Sequence, residues 1–364
     1  MNSSKICQKM MLHTTAECID CGKCISQCLF LKNNGSPVQI AQEGLSSDEK
    51  HDEAALKAYD CSLCYLCSEV CPVDANPAEM FTALRSHAQE KDLHTLDKYS
   101  PLLSYEKTGR KFPFRDTIIP NNCETAFFPG CTLPALFPEA TKAAFAALRA
   151  EDKSFGLILN CCSKPSKMLG LVRQHQDSIS ELVHEISDKG IKRILTGCPN
   201  CYITLKDSNP PFEVLSVYEE LLSKKITTIT PYLREVTIHD PCVTRFEDNV
   251  HDCIRKLLSK AGIKTVEMKH NKRKTLCCGE GGAVNFNKPE YPTEWAAKRI
   301  SEASETALPM ATYCAGCVNF LSTGHPTAHV LDLLLVERKQ LPRQPAFPFN
   351  YANRLILRLT ARMG

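Results

Sequence analysis

Eighteen of the 21 cysteines in this chain fall into four spaced groups, and the groups form two matched pairs. The first pair is Cys18-x-x-Cys21-x-x-Cys24-x-x-x-Cys28 and Cys61-x-x-Cys64-x-x-Cys67-x-x-x-Cys71-Pro72. The second pair repeats a lone cysteine, a double cysteine and a C-x-x-C. It runs Cys131, Cys161-Cys162, Cys198-Pro199-Asn200-Cys201, and again Cys242, Cys277-Cys278, Cys314-Ala315-Gly316-Cys317. A chain that must place so many soft thiolates in tight groups folds around metal. Sulfur ligands in this number select iron–sulfur clusters, and clusters carry electrons. The expectation is a redox protein.

Composition narrows the partners. At 364 residues the chain has room for two or three domains, and its hydrophobic (43%) and charged (23%) fractions are those of a globular protein. A net charge of +3 with dispersed Lys and Arg argues against nucleic acid. No apolar run reaches the length of a membrane span, and the first fifteen residues lack the apolar core of a secretory signal. The expected home is the cytoplasm, with reduced thiols and, through a partner, peripheral placement at the inner face of the membrane.

The chain divides where its composition changes. Residues 1–95 hold both four-cysteine runs and are expected to be helical. Ser46-Ser47-Asp48-Glu49 has the spacing of a capping box ahead of one helix, and Asn76-Pro77 opens another that buries Met80, Phe81 and Leu84. Residues 96–122, broken by Pro101, Pro113 and Pro120, are read as an irregular linker. Residues 123–230 and 231–340 then repeat one unit of strands alternating with helices, with cysteines at the strand ends. The pattern predicts two duplicated α/β domains with largely parallel sheets after an N-terminal helical two-cluster domain, their sites facing across a pseudo-twofold axis. Residues 341–364 form an amphipathic tail. There Arg354, Arg358 and Arg362 make one stripe beside Leu355, Leu359 and Met363, suited to its own domain, a partner or a membrane surface.

The N-terminal runs have the order of a bacterial-type ferredoxin, in which three close cysteines hold one 4Fe–4S cubane and the fourth reaches the other. On that rule Cys18, Cys21, Cys24 and Cys71 hold the first cubane, and Cys61, Cys64, Cys67 and Cys28 the second. Zinc is the competing occupant of paired C-x-x-C units, but it needs only four sulfurs where eight stand here. In the C-terminal copies the gaps are 29 and 35 residues, then 34 and 35. Five cysteines per copy exceed what a cubane or a zinc ion needs, so the pattern predicts an unusual cluster or a bridging thiolate, with four ligands and a spectator as the alternative. Cys7, Cys123 and Cys253 stand outside every group.

The double motif resembles the cysteine-rich CCG domains found in the B-type subunit of heterodisulfide reductase. The whole chain, over about residues 10–337, resembles the D-type subunit of that family, in which the C-type and B-type subunits are fused. The resemblance implies a noncubane 4Fe–4S cluster on each five-cysteine set, with a disulfide reduced between the two. One set would be Cys131, Cys161, Cys162, Cys198 and Cys201, and the other Cys242, Cys277, Cys278, Cys314 and Cys317. His239-Asp240-Pro241-Cys242 and Cys277-Cys278-Gly279 match the family's pattern. Copy one departs from it, because Ser163 follows its double cysteine and serine does not easily adopt a left-handed turn. That leaves zinc or an altered cluster as alternatives at the first CCG site. The same domain order also occurs in the iron–sulfur subunits of glycolate, lactate and anaerobic glycerol-3-phosphate oxidation systems, which relay electrons beside a flavin subunit.

Neither a flavin nor a nicotinamide fingerprint is present, so the electron partner is expected to be a flavoprotein, a ferredoxin or a membrane cytochrome, with a small disulfide or thiol as the possible substrate. Gly279-Glu280-Gly281-Gly282 is not a nucleotide loop, and its backbone N–H groups are expected to pack against sulfur. His239, three residues before Cys242, is the candidate proton donor to a leaving thiolate.

Overall fold

Parallel strands need helical crossovers, and that requirement organises the C-terminal two-thirds of the chain. The computed structural model describes residues 3–150, 152–224 and 229–363, the last by its backbone alone. Among the described residues nine strands make two sheets. The first holds β1 (Asp116–Ile118), β2 (Thr125–Phe128), β3 (Gly156–Leu159), β4 (Arg193–Thr196) and β5 (Glu213–Ser216) in the order β1-β3-β2-β4-β5. The second holds β6 (Glu235–His239), β7 (Lys264–Val266), β8 (Met310–Thr312) and β9 (Thr327–His329) in the order β7-β6-β8-β9. All pairs are parallel except β1 with β3. Without β1, both sheets place their own second strand first, then their first, third and fourth.

The central strands are buried on both faces, as helix-covered parallel strands must be. Helices Pro138–Arg149 and Val172–Asp188 serve the first sheet, and Asp248–Lys260 and Glu290–Glu305 the second. One apolar core runs beneath both sheets, joining Phe127, Leu157 and Leu195 of the first to Val236, Ile238 and Ala311 of the second. The two units therefore share their interior.

The N-terminal region is helical, with Ser3–Glu17, Pro37–Ser46, Asp48–Lys57 and Pro77–Glu90 packed together around Met11, Ile40, Phe81 and Leu84. Ser47 caps the third of these by accepting from Lys50 N at 3.2 Å, so the cap lies one residue beyond the expected box. A box does form at Ser36, which exchanges hydrogen bonds with Gln39 ahead of Pro37. Asn76 does not cap. Its side chain accepts from the Ser68 hydroxyl at 3.0 Å, leaving Pro77 alone to start the helix.

One expectation needs correction. The stretch 96–122 is not irregular: Pro101 sits in the first turn of a helix, Ser100–Gly109, and Asp116–Ile118 joins the sheet edge as β1. Proline breaks a helix interior but suits its start, so the breaker reading failed at Pro101. The tail forms helix Phe349–Met363, and its basic stripe faces its own domain, the first of the three placements expected for it. Arg358 and Arg362 both pair with Asp116 on β1, at 2.8 and 2.7 Å, and Arg354 is buried, while Leu359 is 55% exposed. The side chain of Met363 lies outside the described residues.

Candidate metal centres

None of the 21 cysteines is in a disulfide. Cys18, Cys21, Cys24 and Cys71 line one cavity beside the loop that follows helix Ser3–Glu17. Cys28, Cys61, Cys64 and Cys67 line a second, whose wall also includes Leu276, Cys277 and Trp295. In each cavity three cysteines come from one run and the fourth from the other. Burial pushes the Cys24 thiol up to about 11 and Cys61 up to about 12, with neighbouring thiolates adding to the shift. Cys67 is driven well up by burial and then by Cys61, Cys64, Cys28 and Cys24. Four crowded sulfurs that cannot ionise together are a donor set in want of positive charge, which iron supplies.

The C-terminal cysteines leave the carboxyl ends of the strands. Cys131 follows β2, Cys161-Cys162 follows β3 and Cys198 follows β4; Cys242 and Cys314 follow β6 and β8. Open parallel sheets place ligands at this end. In the second set the titration of each thiol is tied to that of its neighbours in the order Cys242, Cys277, Cys278, Cys317, Cys314. In the first set Cys131 is tied in the same way to Cys161, and Cys201 to both Cys162 and Cys198. The two sets also face one another. The charge of Cys314 bears on Cys198, and those of Cys277 and Cys131 both bear on Glu280. Lys164 is influenced by Cys162 of one set and Cys242 of the other.

Ser163 does adopt the left-handed conformation, at φ 57°, and so performs the turn that glycine performs in copy two. Gly279 is more demanding. Its φ is 103°, and a Cβ there would stand 2.6 Å from the Pro292 carbonyl oxygen. The backbone N–H of Gly279 lies 3.4 Å from Cys277 Sγ, as expected for this loop. At Gly282 a Cβ would come within 2.5 Å of the Cys61 carbonyl oxygen, so this glycine lets the second five-cysteine loop lie directly on the second N-terminal one.

His239 is fully buried, and its Nδ1 accepts from Arg299 Nε at 3.0 Å, which leaves the proton on Nε2. Burial, then the Arg299 charge, lowers its pKa to about 3. A ring nitrogen of His239 and the sulfurs of Cys278 and Cys317 lie within 4.8 Å of one another, and so do a Glu280 oxygen and the sulfurs of Cys314 and Cys317. Cys7, Cys123 and Cys253 are buried in apolar cores, the first two in cores that also include cysteines of the groups.

Sequence reasoning missed several charged residues at these centres. Glu280 and Lys164 stand at the same step after their double cysteines, a signal visible in the sequence once the copies are aligned. Arg85, Arg245 and Arg354 left no such trace. Arg85 is 1% exposed and donates to four carbonyls: Ala58 (3.0 Å), Cys61 (2.5 Å), Met168 (2.7 Å) and Gly282 (2.8 Å).

Comparison with known proteins agrees with this geometry. The 4Fe-4S dicluster domain family matches residues 14–75, and the cysteine-rich domain family, CCG, matches twice, over 125–206 and 236–322. The chain is 26% identical to the D-type subunit of the dihydromethanophenazine:CoB–CoM heterodisulfide reductase of Methanosarcina barkeri, over 84% of this chain and 88% of that one. The equivalent protein from Methanosarcina mazei is 28% identical over 81% of this chain and 78% of its own. The chain is an iron–sulfur protein similar to the D-type subunits of heterodisulfide reductase. A further relative, the B-type subunit of the fumarate reductase (CoM/CoB) of Methanothermobacter marburgensis, is 30% identical over 78% of this heterodisulfide reductase-like chain, which covers 62% of that protein. Among the described residues of the heterodisulfide reductase-like chain, no helix is long and apolar enough to cross a membrane.

Proposed function

We propose that this iron–sulfur oxidoreductase subunit passes electrons from a partner through two cubanes to the paired five-cysteine centres, and that a disulfide is reduced between them. The observation that carries the reading is the convergence of the two five-cysteine sets from equivalent strand ends, with Lys164 and Glu280 each set between cysteines of both copies or at their meeting edge. Bound clusters supply single electrons, and a disulfide takes two, so a pair of facing centres meets the stoichiometry.

The route follows from adjacency. Cys21 is exposed, which makes the Cys18, Cys21, Cys24 and Cys71 set the entry point for a flavoprotein, ferredoxin or membrane cytochrome. Cys24 bears on Cys67, and Cys277 lines the cavity of the Cys28, Cys61, Cys64 and Cys67 set. Electrons then enter the second five-cysteine set before the first. At that set Arg299 Nε donates to His239 Nδ1 and fixes the ring, which has a nitrogen within 4.8 Å of the Cys278 and Cys317 sulfurs.

The test is anaerobic protein given a low-potential electron donor and the CoB–CoM heterodisulfide on which the relatives are named to act. Thiol release that disappears in Cys278→Ser, with both N-terminal centres still reducible, supports the reading. Packing of Tyr218 edge-on against Tyr313 at 6.0 Å, beside Cys198, favours a second reading with a closed gap. In that reading the chain is an electron relay of a flavin-dependent 2-hydroxyacid or glycerol-3-phosphate oxidation complex. Reduction by a flavoprotein and reoxidation by a quinone, with no disulfide ever cleaved, would decide for the relay.

A further inference from the structure

Arg354 enters the molecule from helix Phe349–Met363, beyond both cysteine-rich domains, and ends beside the first five-cysteine set. It is 5% exposed, and its guanidinium lies over the rings of Tyr105 and Phe114, 5.2 and 4.8 Å from their centroids. Its Nη1 has no hydrogen-bond partner, and no carboxylate among the described residues pairs with it. The neighbouring arginines of the stripe, Arg358 and Arg362, both have Asp116. Gly109 marks where the guanidinium points. Around the place of its missing side chain stand Arg354 Nη2 and Cys161 Cβ, each 3.1 Å from an added Cβ, and Cys131 Cβ at 3.9 Å. Tyr105, under the guanidinium, donates to the Cys131 carbonyl at 3.1 Å.

A buried cation without a counter-charge is too costly to persist, so the structure reserves a negative charge for this spot. Aromatic faces supply part of it. The rest must come from the Cys131–Cys161 side. There Arg354 Nη2 and the Cβ atoms of Cys161 and Cys131 surround the same point above Gly109.

We propose that Arg354 is a redox-positioning residue of the first five-cysteine centre, its fixed positive charge favouring that centre's reduced form. The proposal rests on the reading that this set holds an iron–sulfur cluster. One electron added to such a cluster makes its charge more negative by one unit, and the guanidinium, protonated throughout, gives up and takes up no proton. Little water or salt reaches the pair, so the attraction is poorly screened. The C-terminal helix is thereby part of the redox site.

The experiment is an anaerobic potentiometric titration followed by electron paramagnetic resonance on the full chain, with dithionite as reductant. The signal lost in Cys162→Ser identifies the first centre. Arg354→Gln is expected to make that centre's reduction at least tenfold less favourable, a move of about 59 mV to lower potential for one electron. Arg354→Lys should keep most of the original potential. Arg358→Gln, one turn along the same helix, should leave it unchanged. If Arg354→Gln cannot retain iron at the first centre while Arg354→Lys loads fully, the charge requirement is supported by loading. An Arg354→Gln protein with full iron and an unmoved potential overturns the proposal alone, and so does one whose only defect is weaker binding of an anionic disulfide. Zinc in place of iron at this set in the unaltered protein overturns the reading and the proposal together.

Discussion

Arg245 Nε donates a 2.9 Å hydrogen bond to the carbonyl oxygen of Cys64, a residue 181 positions earlier in the chain. The guanidinium is fully buried and spends its remaining donors on the carbonyls of Arg273 and Thr275. Arg85 mirrors it, holding Cys61 and Gly282 in one grip. Between them, two cations that no carboxylate neutralises among the described residues clamp the second N-terminal cysteine loop to the loop that carries Cys277. Buried arginines bonded only to carbonyls are expected where a nearby group brings negative charge of its own, as thiolate-ligated clusters do.

Replacing Arg85 tests the clamp. Arg85→Leu strands four buried carbonyls, each worth about 1–3 kcal/mol when left unpaired, and should cost roughly 3 kcal/mol or more in total. The measurement is the denaturant midpoint of the anaerobic protein. Arg85→Lys should recover only part, since an ammonium cannot span acceptors that a planar fork reaches. An unchanged midpoint in Arg85→Leu would mean that water satisfies the carbonyls.

The two turns after the double cysteines should respond in opposite ways. Ser163→Gly relieves a left-handed serine and is expected to be neutral or to stabilise by about 1 kcal/mol. Gly279→Ser drives a Cβ against the Pro292 carbonyl at a φ that serine rarely adopts, and should empty the second five-cysteine centre of iron. Iron analysis and absorption spectra of the two variants make the comparison. Equal iron in both would show that the Gly279 loop yields.

Asp240, fully buried two residues before Cys242, accepts from Arg255 Nη1 and Nη2 at 2.9 Å each and from Lys272 N at 2.7 Å. Burial alone would raise its pKa, but the Arg255 bonds and charge win, and it is held below the ordinary carboxylate range. Its stabilising effect is therefore present above a pH of about 4, the unfolded value, and fades as pH falls through the lower folded value. Asp240→Asn should cost about 3 kcal/mol near neutrality. The gap between variant and parent in urea midpoint should close on acidification below about pH 4. A gap constant with pH would mean that shape, not charge, is what Asp240 provides.

Cross-ligation can be read from single replacements. Cys71→Ser should disable the same centre as Cys21→Ser, and Cys28→Ser the same centre as Cys64→Ser, each with the loss of about four irons. Spectra that instead pair Cys71 with Cys64 would reassign the two cavities.

Much of this arrangement was legible in the chain itself, because ligand spacing is a local property. The order of strand, cysteine and helix in each copy could be read from apolar runs and loop cysteines. Helix Ser100–Gly109 was not, since a proline's meaning depends on whether it falls in the first turn or the interior. The left-handed Ser163 was misjudged because the small αL region at φ 57° is open to serine at modest cost, unlike the 103° of Gly279. The buried arginines were invisible for a different reason. Arg354 lies in a stripe that suits its own domain, a partner or a membrane surface, and Arg85 in an amphipathic helix, and only the closed tertiary structure brings four carbonyls, or none, to a guanidinium.

The apolar core shared by the two sheets has a mechanical consequence. Drawing the two halves apart would expose Phe127 and Leu195 on one side and Val236, Ile238 and Ala311 on the other to water. The spacing of the two five-cysteine sets is therefore a product of apolar packing, fixed by residues that carry no sulfur at all.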